Sequence, residues 1–403
     1  MVSHSTRVYL FSPYCLLRPT TNRIFDMRLC DGIAGHDVRV TAVYPYAYMR
    51  DNIPASYVSK AYGLRNPVIL RRLYTPLREN SFKLWRFLVL LAAFGISTFR
   101  IFAESVRHRG KTILISRDAK SLVPAIALRK ITGGFLPVTI LYVASEVKKD
   151  KPIFRWVVRN ADGVLAGVSA ARDAIRRLYS LPEDRFMLLL APVPDELPAC
   201  SKSDARIKIG YTRGRPLVVY TGKLGPEVAE LRYILEAAKD LPEYDFLFTG
   251  GRPSAVEAVK KTAAEKGLRN VLFTGFMDDS TVIRYYQLAG DVLVSYYTAK
   301  DHMVEYNYPQ KVNEYLTTGN PVVTPDFPAT KDVLNERNVI FVRPDDPKDL
   351  VRGIRLAMED KELVGRITAQ ALLDIKEITF RHRAEELLRF AEGLPTGRRK
   401  DKK

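Results

Sequence analysis

The sequence predicts an α/β protein of two domains, each a parallel sheet clothed by helices. Three observations lead there. The chain has 403 residues, more than one core usually holds, and its 47% hydrophobic and 27% charged residues are an ordinary globular composition. Short apolar runs of strand type alternate with helical stretches twice along the chain, the pattern of parallel strands joined by crossover helices. Between the two alternations, residues 191–215 are rich in Pro, Lys and Ser and have no apolar period, so they read as a link.

Within the first alternation, residues 7–12 read as a buried strand and 13–21 as a loop at its carboxyl end. A helix over 22–34 ends at Gly35, and G-H-D-V-R-V-T-A-V supplies a capping glycine and a second strand. His36 is a turn residue in this reading. Arg23, at the start of the helix, is a candidate contact for a phosphate, with an exposed helix charge as the alternative. No G-x-G-x-x-G occurs here, so a dinucleotide site of that kind is unsupported. Residues 82–102 are the most hydrophobic part of the chain, yet the uncharged core at 87–99 is shorter than the roughly 20 residues a bilayer span needs. Lys83, Arg86, Arg100, Arg107 and Arg109 border it. Two readings stand, a helix buried against the sheet and a helix lying in a membrane interface, and one helix can do both. A strand at 112–116, a helix at 122–131, a strand at 137–143 and a strand running into a helix at 161–175 complete this half.

The second alternation opens with P-L-V-V-Y-T-G-K-L at 216–224, a strand that ends at Gly222 and presents Lys223 above it. F-L-F-T-G-G places Gly250 and Gly251 at the next strand end, where backbone can approach a ligand closely. Strands at 270–276 and 291–297 follow, then a loop at 298–307. Residues 308–326, Y-P-Q-K-V-N-E-Y-L-T-T-G-N-P-V-V-T-P-D, read as helix, turn and buried strand, with Pro309 in the first helical position, Gly319 as the stop and Asp326 beyond the strand's carboxyl end. The first turn of that helix offers N–H groups to an anion, Lys311 adds a full charge, and Glu314 lies on nearly the same face. Helices including 384–391 and a basic tail close the chain.

Charge and cysteine usage bound the function. Of the net +18, most lies in residues 1–200, which carry 30 Lys and Arg against 15 Asp and Glu. An anionic partner is expected for this half. Nucleic acid is disfavoured, because no recognisable nucleic-acid module occurs. Cys15, Cys30 and Cys200 are too few and too scattered for a disulfide framework or a zinc site, and the start lacks a signal-peptide apolar region. A reducing cytoplasm is expected.

The segment P-x-K-x-x-E-Y-L with G-x-P-V-V and a following acidic residue resembles the signature of the retaining group-1 (family four) glycosyltransferases. G-H-D-V at 35–38 and A-D-G-V-L-A-G-V-S at 161–169 are similar to further family segments. The resemblance implies the GT-B fold, two Rossmann-like domains with parallel sheets facing across a cleft. It divides the chain into an acceptor-binding domain at 1–195, a nucleotide-sugar-binding domain at 196–375, a helix at 376–394 crossing back to the first domain, and a disordered tail at 395–403. Lys223, Lys311 and Glu314 would then be catalytic, the lysines on the donor diphosphate and Glu314 on the ribose. Donor contacts would come from Gly222, Gly250, Gly251, Phe276, Glu305, Tyr306 and Pro309, and acceptor or phosphate contacts from Arg23 and Glu146. No cofactor and no metal are implied. The partners would be a nucleotide sugar and an acceptor; the basic first half and its apolar helix, rather than the resemblance, favour a glycan or lipid-linked acceptor of the cell envelope and an anionic membrane surface on the cytoplasmic side. The sequence departs from the family in three places: no histidine follows the 137–143 strand, Tyr306 stands where a glutamate is frequent, and Val228 stands at the position of a second basic residue. Glu146, Glu305 or Asp301, and Arg232 are the candidate substitutes, and His302 is the histidine nearest the sugar-side loop. The alternatives are a nucleotide-sugar epimerase of the same fold and a degenerate protein that binds a nucleotide sugar or a membrane without turnover.

Overall fold

A computed structural model describes residues 6–16, 20–46, 54–75, 83–108, 110–134, 138–144, 147, 151–225, 228–277, 280–300 and 302–394. Glu146, Asp301 and the tail at 395–403 lie outside the described residues. The chain divides into two compact units, Met1–Leu190 with Phe380–Lys403, and Ala191–Thr379.

In the first unit β1 (Arg7–Phe11) leads through α1 (Thr21–Ala34) to β2 (Arg39–Tyr46), then α2 (Ala55–Tyr62) and β3 (Val68–Tyr74). The long α3 (Lys83–Arg107) crosses to β4 (Thr112–Ser116), followed by α4 (Ala119–Ile131), β5 (Val138–Ala144), α5 (Pro152–Asn160), β6 (Gly163–Ala166), α6 (Ser169–Tyr179) and β7 (Phe186–Leu188). These strands form one parallel sheet in the order β3-β2-β1-β4-β5-β6-β7. Helices cover both faces of its centre, which explains why β4 and β5 are buried at every residue and read as mainly apolar runs without polar alternation. The edge strand β3 alternates exposed and half-buried residues around Arg71 and Arg72. It and α2 have no counterpart in the sequence reading, because an edge strand carrying two arginines lacks the apolar run that marked its neighbours.

The second unit begins with α7 (Lys202–Lys208) inside the stretch expected to be an irregular link. Two turns are too short to show an apolar period, and polar groups hold the helix instead. Ser201 caps it by accepting from the Asp204 N–H at 3.1 Å, while Lys202 and Arg206 pair with Asp291. There follow β8 (Leu217–Thr221), α8 (Leu231–Asp240), β9 (Asp245–Thr249), α9 (Pro253–Glu265), β10 (Val271–Gly275), α10 (Ser280–Ala289), β11 (Val292–Val294), α11 (Gln310–Leu316), β12 (Val322–Pro325), β13 (Ile340–Val342), α12 (Pro347–Glu359) and α13 (Lys361–Ile375). The sheet is again parallel, in the order β10-β9-β8-β11-β12-β13. Renumbered from its first strand this is 3-2-1-4-5-6, the doubly wound order in which ligands bind beyond the carboxyl ends where the winding reverses. That point is β8/β11 here and β1/β4 in the first sheet.

The last helix, α14 (Phe380–Gly393), belongs to the first unit and packs on α1. Backbones come so close that a Cβ on Gly32 would lie 2.6 Å from the Phe380 carbonyl oxygen. His36 confirms its place as a turn residue through Nε2, 2.9 Å from the Arg381 carbonyl oxygen. Phe380, Ala384, Leu387 and Leu388 of α14 are buried in the first core, where each fully buried leucine contributes about 1.5–3 kcal/mol.

Candidate functional site

Five pieces of chain converge at the β8/β11 reversal. β8 ends at Thr221 and hands over to Gly222, whose N–H donates to the Thr249 carbonyl at 2.9 Å. Gly250 repeats the step one strand over by donating to Gly275 at 2.9 Å. Gly250 and its neighbour Gly251 are sterically required: a Cβ on Gly250 would stand 2.0 Å from the Gly222 carbonyl oxygen, and one on Gly251 2.6 Å from Leu224 Cβ. Gly250 also has a φ of +124°, which L side chains rarely adopt.

Lys311 projects from α11 into this corner. Its ammonium lies 4.0 Å from the Tyr220 ring centre and 5.0 Å from that of Tyr297, the aromatic residues at the ends of β8 and beyond β11. A Cβ on Gly222 would be 3.4 Å from Lys311 Nζ, so the missing side chain leaves the cation beside bare backbone. Burial pushes the ammonium down to about 8, against the pull of Glu230. Two ring faces hold the cation without neutralising it, and an incoming anion would do so.

α11 is fixed by the residues around Lys311. The Tyr315 hydroxyl accepts from the Thr221 N–H at 2.8 Å and lies 2.9 Å from Thr221 Oγ1, tying the helix to the last residue of β8. Asn313 donates to the Ala191 carbonyl at 2.5 Å and accepts from the Tyr308 hydroxyl. Arg284 of α10 donates to the carbonyls of Glu314, at 3.1 Å, and Thr317, at 2.9 Å. Its guanidinium is pushed down to about 10 by burial, with Glu314 pulling the other way. The half-buried Glu314 carboxylate accepts from Gln287 Nε2 at 3.2 Å. Tyr315, Arg284 and Gln287 were absent from the sequence reading. Only Tyr315 left a signal, as the middle of E-Y-L.

Residues 215–360 match the family model described as Glycosyl transferases group 1. Over 195 residues, the chain is 23% identical to a putative teichuronic acid biosynthesis glycosyltransferase, TuaH, of Bacillus subtilis (strain 168). That alignment covers 48% of this chain and 48% of the relative, so it spans about half the length of each. Sucrose-phosphate synthase from Thermosynechococcus elongatus superposes with a TM-score of 0.71 at 14% identity, covering 96% of this chain and 98% of that one. Anabaena Alr3699/HepE in complex with UDP-glucose gives 0.69 at 15% identity, covering 96% and 100%. The fold is GT-B. Over residues 215–360 the chain is similar to the group 1 glycosyltransferases.

Within the second unit the remaining sequence candidates are distributed unevenly. Lys223 is exposed beyond Gly222, and its carbonyl accepts from the Tyr220 hydroxyl at 3.3 Å. Phe276 follows β10 with 61% of its surface open. Glu305 is exposed at the end of a 3-10 turn, His302–Glu305, and Tyr306 beside it is half-buried. Pro309 is the residue before α11 rather than its first helical residue, and the helix closes at Leu316, three residues before the left-handed Gly319. Val228 packs against the second core, and exposed Arg232 turns to the ring of Tyr233. Among the described residues, no group of three or more His, Cys, Asp or Glu could hold a metal ion.

The first unit has its own polar cluster at the β1/β4 reversal, unforeseen from the sequence. Asp26 of α1 is 3% exposed, with Arg117 Nε at 3.0 Å and the Ser12 hydroxyl at 3.3 Å. Arg117 also reaches Asn22 Oδ1 at 3.0 Å and covers the Phe25 ring at 4.5 Å. Burial pushes the Asp26 carboxyl up to about 6, against the pull of Arg117. Arg23, the sequence candidate here, sits half-buried with its guanidinium 5.7 Å from the Tyr14 ring centre.

Proposed function

We propose that the chain is a retaining glycosyltransferase that binds a nucleoside-diphosphate sugar in its second unit and transfers the sugar to a glycan or lipid-linked acceptor of the cell envelope. One observation supports it most: the Lys311 ammonium is held between Tyr220 and Tyr297 beside bare glycine backbone at the sheet's winding reversal. Cleavage of a sugar–phosphate bond develops negative charge on the leaving diphosphate. A preorganised cation placed there stabilises that charge without reorganisation. Lys223, exposed beyond Gly222, supplies a second cation, and Glu314, oriented by Gln287, would accept from the ribose hydroxyls. Phe276 offers an open ring near the base, with Gly251 and neighbouring main chain leaving it room. Glu305 and Tyr306 fall on the sugar side. The cell-envelope assignment draws on the teichuronic acid relative's name, and the UDP-glucose in the HepE complex makes UDP the first nucleotide to try. No cofactor is invoked, and the reaction is placed in the cytoplasm, where Cys15, Cys30 and Cys200 remain outside any disulfide.

The experiment is thermal unfolding with UDP, GDP and ADP in turn, on the wild type and on Glu314→Ala. A ligand that binds only the folded state raises its stability by about 2.7 kcal/mol at a hundredfold excess over Kd. One nucleotide should raise the melting temperature of the wild type and do so less in Glu314→Ala. No response to any of the three would refute the donor site.

A further inference from the structure

We infer that α3 docks the first unit onto an anionic bilayer, lying in the plane of the interface. This goes beyond the transferase reading and does not depend on it. The helix has two apolar faces. Phe94, Ser97, Ile101, Phe102 and Ser105 are buried against the sheet, with the rings of Phe94 and Phe11 centred 4.9 Å apart. On the opposite side Trp85, Leu88, Ala92, Ile96, Phe99 and Val106 recur at spacings of three, four and seven, and all are exposed. Trp85 shows 53% of its surface, Ile96 59%, Phe99 67% and Val106 69%. Length and apolarity alone would allow α3 to cross a membrane, but its inner face is already committed to the protein core. An outward apolar stripe on a helix so anchored fits the headgroup boundary instead.

Charge selects the occupant. Lys83, Arg86, Arg100 and Arg107 stand exposed on the same helix. Its one acidic residue, Glu104, is taken up by the Tyr9 hydroxyl at 2.5 Å and Arg71 at 3.1 Å. A second copy of the chain would bring cations against cations with no carboxylate on the helix to answer them. An anionic lipid surface answers all four. The amino end of α3 adds a cavity of about 240 Å³, with Phe87, Leu90 and Leu91 among its apolar walls and Lys83, Arg86 and Lys120 as its cations. Lys120 Nζ lies 5.5 Å from the Phe87 ring centre, and Asp118, also lining the cavity, is engaged in capping α4 through the Ser121 N–H at 3.1 Å. Such a cavity suits one lipid phosphate and the start of its chain. Because a crossover helix runs against its strands, this end of α3 lies at the carboxyl edge of the sheet, the edge that carries Asp26 and Arg117.

The test is co-sedimentation of the full chain with vesicles of phosphatidylcholine, with and without 30% phosphatidylglycerol, together with Trp85 emission in a Trp156→Phe background. Binding should require the anionic lipid, fall with salt, and shift Trp85 emission to the blue. Arg86→Glu with Arg100→Glu should weaken binding by at least about 25-fold, near fivefold for each cation removed. Ile96→Ser with Phe99→Ser, at exposed positions, should abolish binding while leaving the circular dichroism and melting temperature of the wild type. Failure of the wild type to bind, equal binding by the serine variant, or a dimer in light scattering that the serine variant dissolves would each overturn the inference.

Discussion

Lys311 gives the most specific prediction, because its ordinary value of 10.5 is lowered to about 8 by burial between two rings. That displacement corresponds to roughly 3 kcal/mol held against the charged form. A bound diphosphate would return part of it. The direction follows from linkage: the ligand prefers the protonated lysine, so affinity is full below pH 8 and declines above it as binding must bring in a proton. From pH 7 to 9.5 the protonated fraction drops about 30-fold, and the affinity for nucleoside diphosphate should drop with it. The phosphate's own last ionisation, near 6, is complete before this window opens. Burial raises the Tyr220 and Tyr315 phenols, so they stay neutral throughout. Isothermal titration at several pH values, in buffers of differing ionisation enthalpy, would read both the affinity and the proton uptake, which should approach one proton near pH 9. Lys311→Arg should bind with little pH dependence over the same range. A wild-type affinity flat from pH 7 to 9.5, or an equal decline in the arginine variant, would refute the placement of the diphosphate on Lys311.

Three further outcomes are expected. Gly250→Ala should lose nucleotide binding and cost about 1–3 kcal/mol in urea unfolding, since its Cβ would meet the Gly222 carbonyl oxygen in a backbone region that strains side chains; unchanged binding would show the close approach to be unnecessary. Asp26, with its carboxyl raised from 3.8 to about 6, should stabilise the fold less as pH rises through that interval. Relative to Asp26→Asn, the wild type should therefore lose roughly 2 kcal/mol between pH 4 and 7, and parallel stability profiles for the two proteins would contradict the burial. Leu387→Ala should lower stability by about 2–5 kcal/mol, and an effect below 0.5 kcal/mol would place α14 outside the first core.

Local chemistry accounts for what could be read before the structure. The central strands of both sheets are short and mainly apolar, and glycine ends β8 and β9, so β1, β4, β8 and β9 declare themselves. Gly222, Gly250, Lys311 and Glu314 were legible because each sits at a strand or helix end that sequence punctuation marks. The surroundings of Lys311 were not. Tyr220 and Tyr297 are separated from it by 91 and 14 residues, and nothing in an apolar strand such as L-V-V-Y-T says that its tyrosine will face a cation. Asp26 and Arg117 share the difficulty: a carboxylate on a helix and an arginine after a distant strand look like surface charges until the β1/β4 pairing brings them together. The two faces of α3 were distinguishable as a possibility of composition, but which residues turned inward required the sheet beneath them. Pro309 was misjudged by one position because proline suits both the residue before a helix and its first turn, and only the backbone distinguishes them.

The central claim is transfer from a nucleoside-diphosphate sugar, and release of the nucleoside diphosphate tests it most directly. The wild type and Lys311→Ala would be incubated with the glucose derivative of whichever nucleotide stabilises the protein, and the free diphosphate measured together with the anomeric configuration of the released or transferred sugar. The account predicts release by the wild type with retention of configuration, and at least a hundredfold loss in Lys311→Ala, the scale on which removing one preorganised stabilising group acts. Stabilisation by the nucleotide without release from any of its sugar derivatives, with or without a glycan or lipid-linked acceptor, would contradict it and leave a binding protein in a transferase fold.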